Sequence, residues 1–190
     1  MRMEINVEIR KSRMRAHSAI HLITDYCIDK FGFEVVGSNV ESDYCTVDFK
    51  INRGGNIKNL ISELDEMVLE AIKKEIETKI TLEKFEDVQG AKLKENHNYA
   101  SLVRVIDIKG YSKQLCCGTH VKNTKEIIDF VIIKEFSKKS GIRRLECLTG
   151  LKATEYKNDL SNKSDDGKKN KEIVEFKVIE EFVHNDFLIT

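Results

Sequence analysis

Two short histidine-containing frames, far apart in the chain, most constrain how this sequence can fold. His17 and His21 lie four apart where apolar residues recur at helical spacing, so both imidazoles share one helix face, one turn apart. Cys116 and His120 lie four apart around a turn that contains Gly118. Two histidines, a cysteine and a third histidine form a complete set of nitrogen and sulfur ligands for Zn²⁺. The sequence therefore predicts a fold that brings both segments to one metal ion.

The pattern leaves the details of this site open. Each frame alone is weak evidence for a metal site. Such residues are often only histidines at the edge of the core, or a reactive thiol. Cys117 competes with Cys116 for the sulfur position, since neighbouring side chains in an extended turn point apart and spacing cannot choose between them. Four protein ligands are typical of structural zinc, whereas catalytic zinc keeps one position for water or substrate. Both roles are compatible with the sequence.

Composition limits the class of protein. The 190 residues suffice for one domain of about 100–200 residues with an appendage. The formal net charge is zero, so any surface that attracts nucleic acid must be local. Five cysteines and the absence of a recognisable signal peptide favour reduced thiols and a cytoplasmic location. No apolar run approaches about 18 residues, so we expect no membrane span.

Hydrophobic periodicity predicts an α+β fold, a mostly antiparallel sheet with helices, including the histidine-bearing one, packed on one face. The predicted helices cover 13–31 with Ser12 as cap, 57–76 after the break at Gly54-Gly55-Asn56, and Gly150 to about Leu160. The predicted strands cover 3–9, 34–40, 45–51, 80–82, 102–108, 127–133 and 142–148, of which 127–133 is expected to be central and buried on both faces.

The composition changes near the C-terminus and predicts two regions. Residues 1–155 form the expected zinc-containing domain, and 156–190 a polar linker and an extension of unknown role. Residues 158–171 are low in hydrophobicity and predict a mobile loop. The hydrophobic pattern of residues 172–190 is compatible with either a strand or a helix. Two interpretations are compatible with the lysines of this region: a disordered basic arm that contacts phosphate, or an inert solvated loop. These lysines are Lys163, Lys168, Lys169 and Lys171.

The two frames resemble motifs of a known family. His17-Ser18-Ala19-Ile20-His21-Leu22 resembles the His-(Thr/Ser)-Ala-x-His-Leu of the alanyl-tRNA synthetase editing domain. Leu115-Cys116-Cys117-Gly118-Thr119-His120-Val121 resembles its Leu-Cys-Gly-Gly-Thr-His-Val, with Cys117 where the family commonly has Gly. Gly141-Ile142-Arg143-Arg144-Leu145-Glu146 resembles its Gly-(Val/Ile)-Arg-Arg-Ile-Glu. The resemblance covers about 12–153 in order. The domain is related to the second additional domain of threonyl-tRNA synthetase.

The resemblance implies a function. The domain also occurs alone, as AlaX-type deacylases that act in trans, and this chain is similar to that short form. Such a protein is a hydrolase that removes serine, or glycine, from mischarged alanine tRNA, and its partner is the acceptor end of that tRNA. A pocket shaped for alanine cannot strongly exclude serine, so a second site is needed. The resemblance implies that the zinc ligands are His17, His21, Cys116 and His120.

Further residues are candidates for substrate contact. Thr119 and Ser18 lie beside the ligands and are expected to line the pocket for the serine hydroxyl. Alternatively, Thr119 stabilises the turn and Ser18 bonds to its own helix. The acceptor stem is expected to contact Lys138, Lys139 and Arg143. Arg144 is expected to pair with Glu146 instead, because the two share a strand face.

Two other functions compete with the deacylase. One is a zinc-stabilised RNA-binding module without hydrolytic activity. The other is a redox or metal sensor that uses Cys116 and Cys117, which is disfavoured because adjacent cysteines are poorly placed for an unstrained disulfide. The sequence predicts no particular oligomeric state.

Overall fold

The computed structural model describes residues 5–51, 57–91 and 100–165, with side chains to residue 162. The helices in these ranges are α1 (Val7–Phe31), α2 (Ile61–Lys73) and α3 (Gly150–Asp165). The strands are β1 (Glu34–Val40), β2 (Tyr44–Lys50), β3 (Thr78–Lys84), β4 (Leu102–Ile108), β5 (Ser112–Leu115), β6 (Phe130–Lys139) and β7 (Ile142–Thr149). The chain divides into two units, Met1–Thr154 and Glu155–Thr190, and these strands belong to the first.

The described strands form two antiparallel sheets. The larger has the order β1-β2-β7-β6 and the smaller the order β3-β4-β5. The predicted α+β class with antiparallel pairing is confirmed, although two sheets are present where one was expected. The predicted strand 102–108 matches β4, while the predicted strand 80–82 is part of the longer β3. None of the described helices is both long and apolar enough to span a bilayer.

Helix α1 packs against the larger sheet and forms the core with it. Ile20, Ile23 and Cys27 recur along one side of the helix and are at most 4% exposed. They belong to one buried cluster with residues of the inner face of β2, among them Val47 and Phe49. Burial of each large apolar side chain contributes about 1.5–3 kcal/mol to stability. This packing fixes the position of the helix relative to the sheet.

The start of α1 corrects a prediction. The alternation over residues 3–9 predicted a half-buried strand, but the helix begins at Val7. The Asn6 side chain caps it by accepting hydrogen bonds from the backbone N–H groups of Glu8 and Ile9, both at 3.1 Å. Ser12, the predicted cap, lies inside the helix. Ile5 and Val7 are 62% and 57% exposed, so their alternation does not mark a buried face. The helix ends at Gly32, as predicted.

The prediction of a central, fully buried strand over 127–133 is wrong. Ile127 ends a short 3-10 helix, and Ile128 has a φ of 72°, which breaks the extended backbone. Strand β6 begins at Phe130 and lies at the edge of the larger sheet, beside β7. Phe130 and Ile132 are buried, whereas Val131 and Ile133 are only half-buried. A continuous apolar run here reflects a 3-10 turn followed by an edge strand.

Two helix ends also differ from the predictions. Helix α2 ends at Lys73, short of Ile76, and Glu75 follows with a φ of 49°. Helix α3 begins at Gly150 as predicted but continues to Asp165, so the predicted loop over 158–171 is helical in its first part. The predicted turn at 54–56 and the predicted extension beyond residue 165 lie outside the described residues.

A buried ion pair joins α1 to the end of the larger sheet. Arg15 donates two hydrogen bonds to the carboxylate of Asp43, from Nε at 2.6 Å and from Nη2 at 2.8 Å. The Thr149 hydroxyl also donates to Asp43, at 3.3 Å. Gly150 lies against this pair with a φ of +65°. A Cβ at this position would lie 2.7 Å from Asp43 Oδ1 and 2.8 Å from Arg15 Nε.

We expect Gly150→Ala to lower the free energy of unfolding by about 2–4 kcal/mol, because it adds left-handed backbone strain and displaces a buried ion pair. Urea denaturation followed by circular dichroism measures the loss. Gly110→Ala is the matched control, since Gly110 also has a positive φ (+81°) but its Cβ would meet nothing within 4 Å. The control should lose only about 1–2 kcal/mol. Equal losses in the two variants would contradict the steric part of this account.

Candidate metal centre

The structure brings the two predicted frames together. His17 and His21 lie one turn apart on α1, and Cys116 and His120 lie in the loop that follows β5. One ligand atom from each of these four residues lies within 4.8 Å of the other three. His21 and His120 are each 3% exposed, whereas His17 and Cys116 are half-buried. The four side chains form a candidate metal site that is open on one side.

Two of the distances within the cluster match those between ligands of one ion. Cys116 Sγ lies 3.5 Å from Nε2 of His17 and 3.5 Å from Nε2 of His120. In a tetrahedral site with metal–sulfur and metal–nitrogen bonds of zinc length, these ligand atoms are separated by about 3.5 Å. The nitrogen–sulfur donor set also suits a zinc-like ion. The residues therefore fit such an ion.

The imidazole of His120 is suited to metal binding because it is kept neutral, and the other rings lie close to it. The His17 and His120 ring centroids are 4.1 Å apart, and those of His21 and His120 are 4.3 Å apart. Burial, together with the neighbouring His21, His17 and Arg104, lowers the pKa of His120 to about 2. The ring of His120 is therefore unprotonated at neutral pH and its nitrogen lone pair is available to a cation.

Backbone and hydroxyl groups orient two of the rings. Nδ1 of His17 lies 3.2 Å from the carbonyl oxygen of Thr119. A carbonyl only accepts, so Nδ1 carries the hydrogen and Nε2 presents its lone pair toward Cys116. Nδ1 of His120 lies 3.2 Å from Ser18 Oγ, which also accepts from the backbone N–H of Val121 at 3.1 Å. Such second contacts fix the tautomer and ring orientation of metal-binding histidines.

Gly118 allows the loop to approach the helix. A Cβ at residue 118 would lie 2.2 Å from Cε1 and 2.6 Å from Nδ1 of His17. Any side chain there would overlap the imidazole. The backbone N–H of Gly118 also donates to Cys116 Sγ at 3.3 Å and so helps to orient the sulfur. The glycine is thus required by contact with His17.

Three polar residues that the sequence analysis did not identify support the site. Arg104 on β4 donates from Nη1 to the carbonyl oxygens of Cys116 and Gly118, at 2.8 and 2.6 Å. Gln114 donates to Asp25 at 2.7 Å, and Asp25 also accepts the backbone N–H of Lys113 at 2.9 Å. These contacts attach β4 and β5 to the loop and to α1. The contacts of Gln114 and Lys113 with Asp25 span 89 and 88 positions, so no local pattern could have revealed them.

The structure distinguishes the adjacent cysteines and the two predicted pocket residues. Cys116 lies in the cluster, whereas Cys117 is exposed. Thr119 is exposed, and its carbonyl oxygen contacts the half-buried His17. Ser18 is fully buried, and its hydroxyl contacts His120 and Val121 rather than its own helix. These contacts support a role for Ser18 in holding the His120 ring.

The predicted RNA-contacting residues lie on the hairpin of β6 and β7. Lys138 pairs with Asp48 at 3.0 Å, and Arg143 pairs with Glu135. Arg144 donates two hydrogen bonds to Asp48, at 2.6 and 2.8 Å, which lower the pKa of that carboxyl. The expected pairing of Arg144 with Glu146 is therefore replaced by one with Asp48.

Lys139, the remaining predicted RNA-contacting residue, is exposed at the end of β6. Contact of this hairpin with RNA stays a prediction.

Comparison with known proteins finds relatives among tRNA synthetases. The family described as the threonyl and alanyl tRNA synthetase second additional domain matches residues 103–146, which include Cys116 and His120. An alanine–tRNA ligase of Fervidobacterium nodosum is 35% identical over 151 residues, which cover 77% of this chain and 17% of that protein. The ligases of Thermotoga maritima and Neisseria meningitidis serogroup B are each 34% identical over 157 residues, or 80% of this chain and 18% of theirs. The chain spans less than a fifth of the length of these relatives.

Loss of the Ser18 hydroxyl should destabilise the domain. We expect Ser18→Ala to lower the free energy of unfolding by about 1–3 kcal/mol, because the buried Val121 N–H loses its acceptor. Urea denaturation in the presence of a chelator measures this loss independently of any bound metal. Ser62→Ala, at an exposed position of α2, is the control and should change stability by less than about 0.5 kcal/mol. A neutral Ser18→Ala would contradict the role assigned to the hydroxyl.

A methyl group at residue 118 should weaken cation binding through His17. We expect Gly118→Ala to lower the affinity for Co²⁺, measured by competition with a chromophoric chelator, by about 10–100-fold. His17→Ala should cause a loss of at least this size. Because both changes act on the same imidazole, the double variant should bind no more weakly than His17→Ala alone. Additive losses would show that Gly118 acts by another route.

Proposed function

Because the chain is related to the second additional domain of threonyl- and alanyl-tRNA synthetases, we propose that it is an aminoacyl-tRNA deacylase that removes serine, and glycine, from mischarged alanine tRNA. The observation that carries the proposal is the cluster of His17, His21, Cys116 and His120. We propose that these four residues hold Zn²⁺ and that residues 1–155 form the editing domain. The domain would act in trans, in the cytoplasm, on the acceptor end of the tRNA. The extension over 156–190 is left without an assigned role.

The burial of the ligands supports one direction of substrate approach. His21 and His120 are enclosed, so the aminoacyl ester reaches the cluster from the side of His17 and Cys116. The exposed Thr119 lies on that side and is the residue we assign to the substrate pocket. Zn²⁺ bound here would supply Lewis-acid polarisation of a carbonyl or of a water. The bond to be cleaved is an activated ester, so modest activation is sufficient.

The residues around the ligands contribute orientation. Ser18 and the Thr119 carbonyl fix two imidazoles, and Arg104 holds the loop backbone. The reacting group is thereby placed by rigid elements, which lowers the entropic part of the barrier. Discrimination between serine and alanine requires a polar partner for the serine hydroxyl, because that partner is left unpaired when alanine binds. The Thr119 hydroxyl is the group we propose for this role.

The proposal predicts selective ester hydrolysis that depends on one of two adjacent thiols. The protein should release serine from serylated alanine tRNA faster than alanine from the correctly charged tRNA, measured by loss of labelled amino acid. Cys116→Ser should reduce the rate by at least about 100-fold, since even outer contacts of metal ligands are worth 10–100-fold. Cys117→Ser is the matched control and should keep the rate within about threefold, a difference of less than 1 kcal/mol in activation free energy.

Three outcomes would contradict the proposal. Faster release of alanine than of serine, with metal bound, would reject the stated specificity. Unchanged turnover in Cys116→Ser would reject a role of the cluster in the reaction. Tight RNA binding without turnover, together with unfolding of His17→Ala on loss of metal, would identify a metal-stabilised RNA-binding module instead.

A further inference from the structure

Two arginines on α1 extend the histidine face toward the N-terminus. At 100° per residue, Arg10, Arg13, His17 and His21 fall within an arc of about 80° around the helix. At 1.5 Å per residue, Arg13 lies about 6 Å and Arg10 about 10 Å from His17 along the helix axis. One face of one helix therefore carries two guanidinium groups followed by two of the clustered imidazoles.

The more accessible end of the metal cluster on α1 is His17, the ligand nearer to these arginines. Along this face the side chains change from exposed at Arg10 and Arg13, to half-buried at His17, to buried at His21. Helical side chains lean toward the N-terminus of their helix, so the His17 ring lies over the turn that contains Arg13. Cys117 and Thr119, on the loop beside His17, are exposed as well. A substrate strand that reaches His17 along this face of α1 would pass the two arginines.

The charges of these two arginines are not engaged within the described part of the chain. Four other arginines there have acceptors: Arg15 contacts Asp43, Arg104 contacts backbone carbonyls, Arg143 contacts Glu135 and Arg144 contacts Asp48. Among the described residues, neither Arg10 nor Arg13 makes an ion pair, and the nearby Glu8 pairs with Lys11 at 3.3 Å. Since the protein has no net charge, such local cationic sites determine where a polyanion can bind.

We propose that Arg10 and Arg13 bind neighbouring backbone phosphates of the single-stranded 3′ end of the RNA whose terminal ester lies at the metal cluster. The inference rests on the proposed function for the identity of the RNA. Guanidinium groups bind phosphate oxygens through two parallel hydrogen bonds, and two of them one turn apart can contact successive phosphates. Exposed arginines position the strand without reading its bases, so the contact would orient the ester for any 3′ end of the same length.

Direct RNA binding tests this inference without requiring turnover. The probe is a 5′-labelled RNA hairpin with a four-nucleotide single-stranded 3′ end, and its anisotropy is followed at several salt concentrations. Arg10→Gln/Arg13→Gln should weaken binding, and the slope of log affinity against log salt should decrease by about 1.4, or 0.7 per lost phosphate contact. Metal content and the free energy of unfolding should match those of the unaltered protein. Lys73→Gln/Lys79→Gln, which removes two exposed cations from α2 and β3, is the charge-matched control and should change the slope little.

The outcomes separate the inference from the proposed function. An unchanged affinity and slope in the arginine variant, or an equal loss in Lys73→Gln/Lys79→Gln, would overturn the inference. If a blunt hairpin without the 3′ overhang binds as tightly and loses as much affinity in the variant, the arginines contact duplex RNA and the assignment to the single strand is wrong. If the variant binds more weakly as expected but the unaltered protein releases no serine, the inference stands and the deacylase proposal fails.

Discussion

The contact between helix α1 and the loop over residues 116–120 is the interaction on which the site depends. The helix provides two imidazoles and the Ser18 hydroxyl, and the loop provides a thiol, an imidazole and the close approach of Gly118. Neither segment can form the cluster alone. The rest of the unit holds them in register: the larger sheet packs on α1, and Arg104 and Gln114 connect the smaller sheet to the loop and to the helix. The same packing that stabilises the core therefore sets the ligand geometry.

Sequence patterns predicted the features whose physical cause is local. The helical stripe of α1 and its end at Gly32, the hairpin of β1 and β2, and strand β4 were predicted closely, because each is encoded by periodicity and by turn residues. The four candidate ligands were predicted by their spacing, and the structure brings them within one cluster. The structure also selects Cys116 over Cys117 for that cluster, which spacing alone could not do.

Features that depend on burial or on distant partners could not be predicted. The alternation before α1 resembles a strand until the exposure of Ile5 and Val7 and the capping by Asn6 are known. The run after Ile127 resembles a central strand until its turn at Ile128 and its edge position are seen. Gln114 reaches Asp25, which is 89 positions away, so no window of sequence contains both. Ion pairs such as that of Arg144 with Asp48 likewise depend on strand register.

The large separation between the two halves of the cluster affects the order of events during synthesis. His17 and Cys116 are 99 positions apart, and α1 leaves the ribosome long before the loop is made. Until then the nascent chain offers a cation only two imidazoles, on a helix whose larger sheet still lacks β6 and β7. Tight metal binding therefore arises late, once β4, β5 and the loop have been translated. The nascent α1 alone competes poorly for scarce metal in the cell.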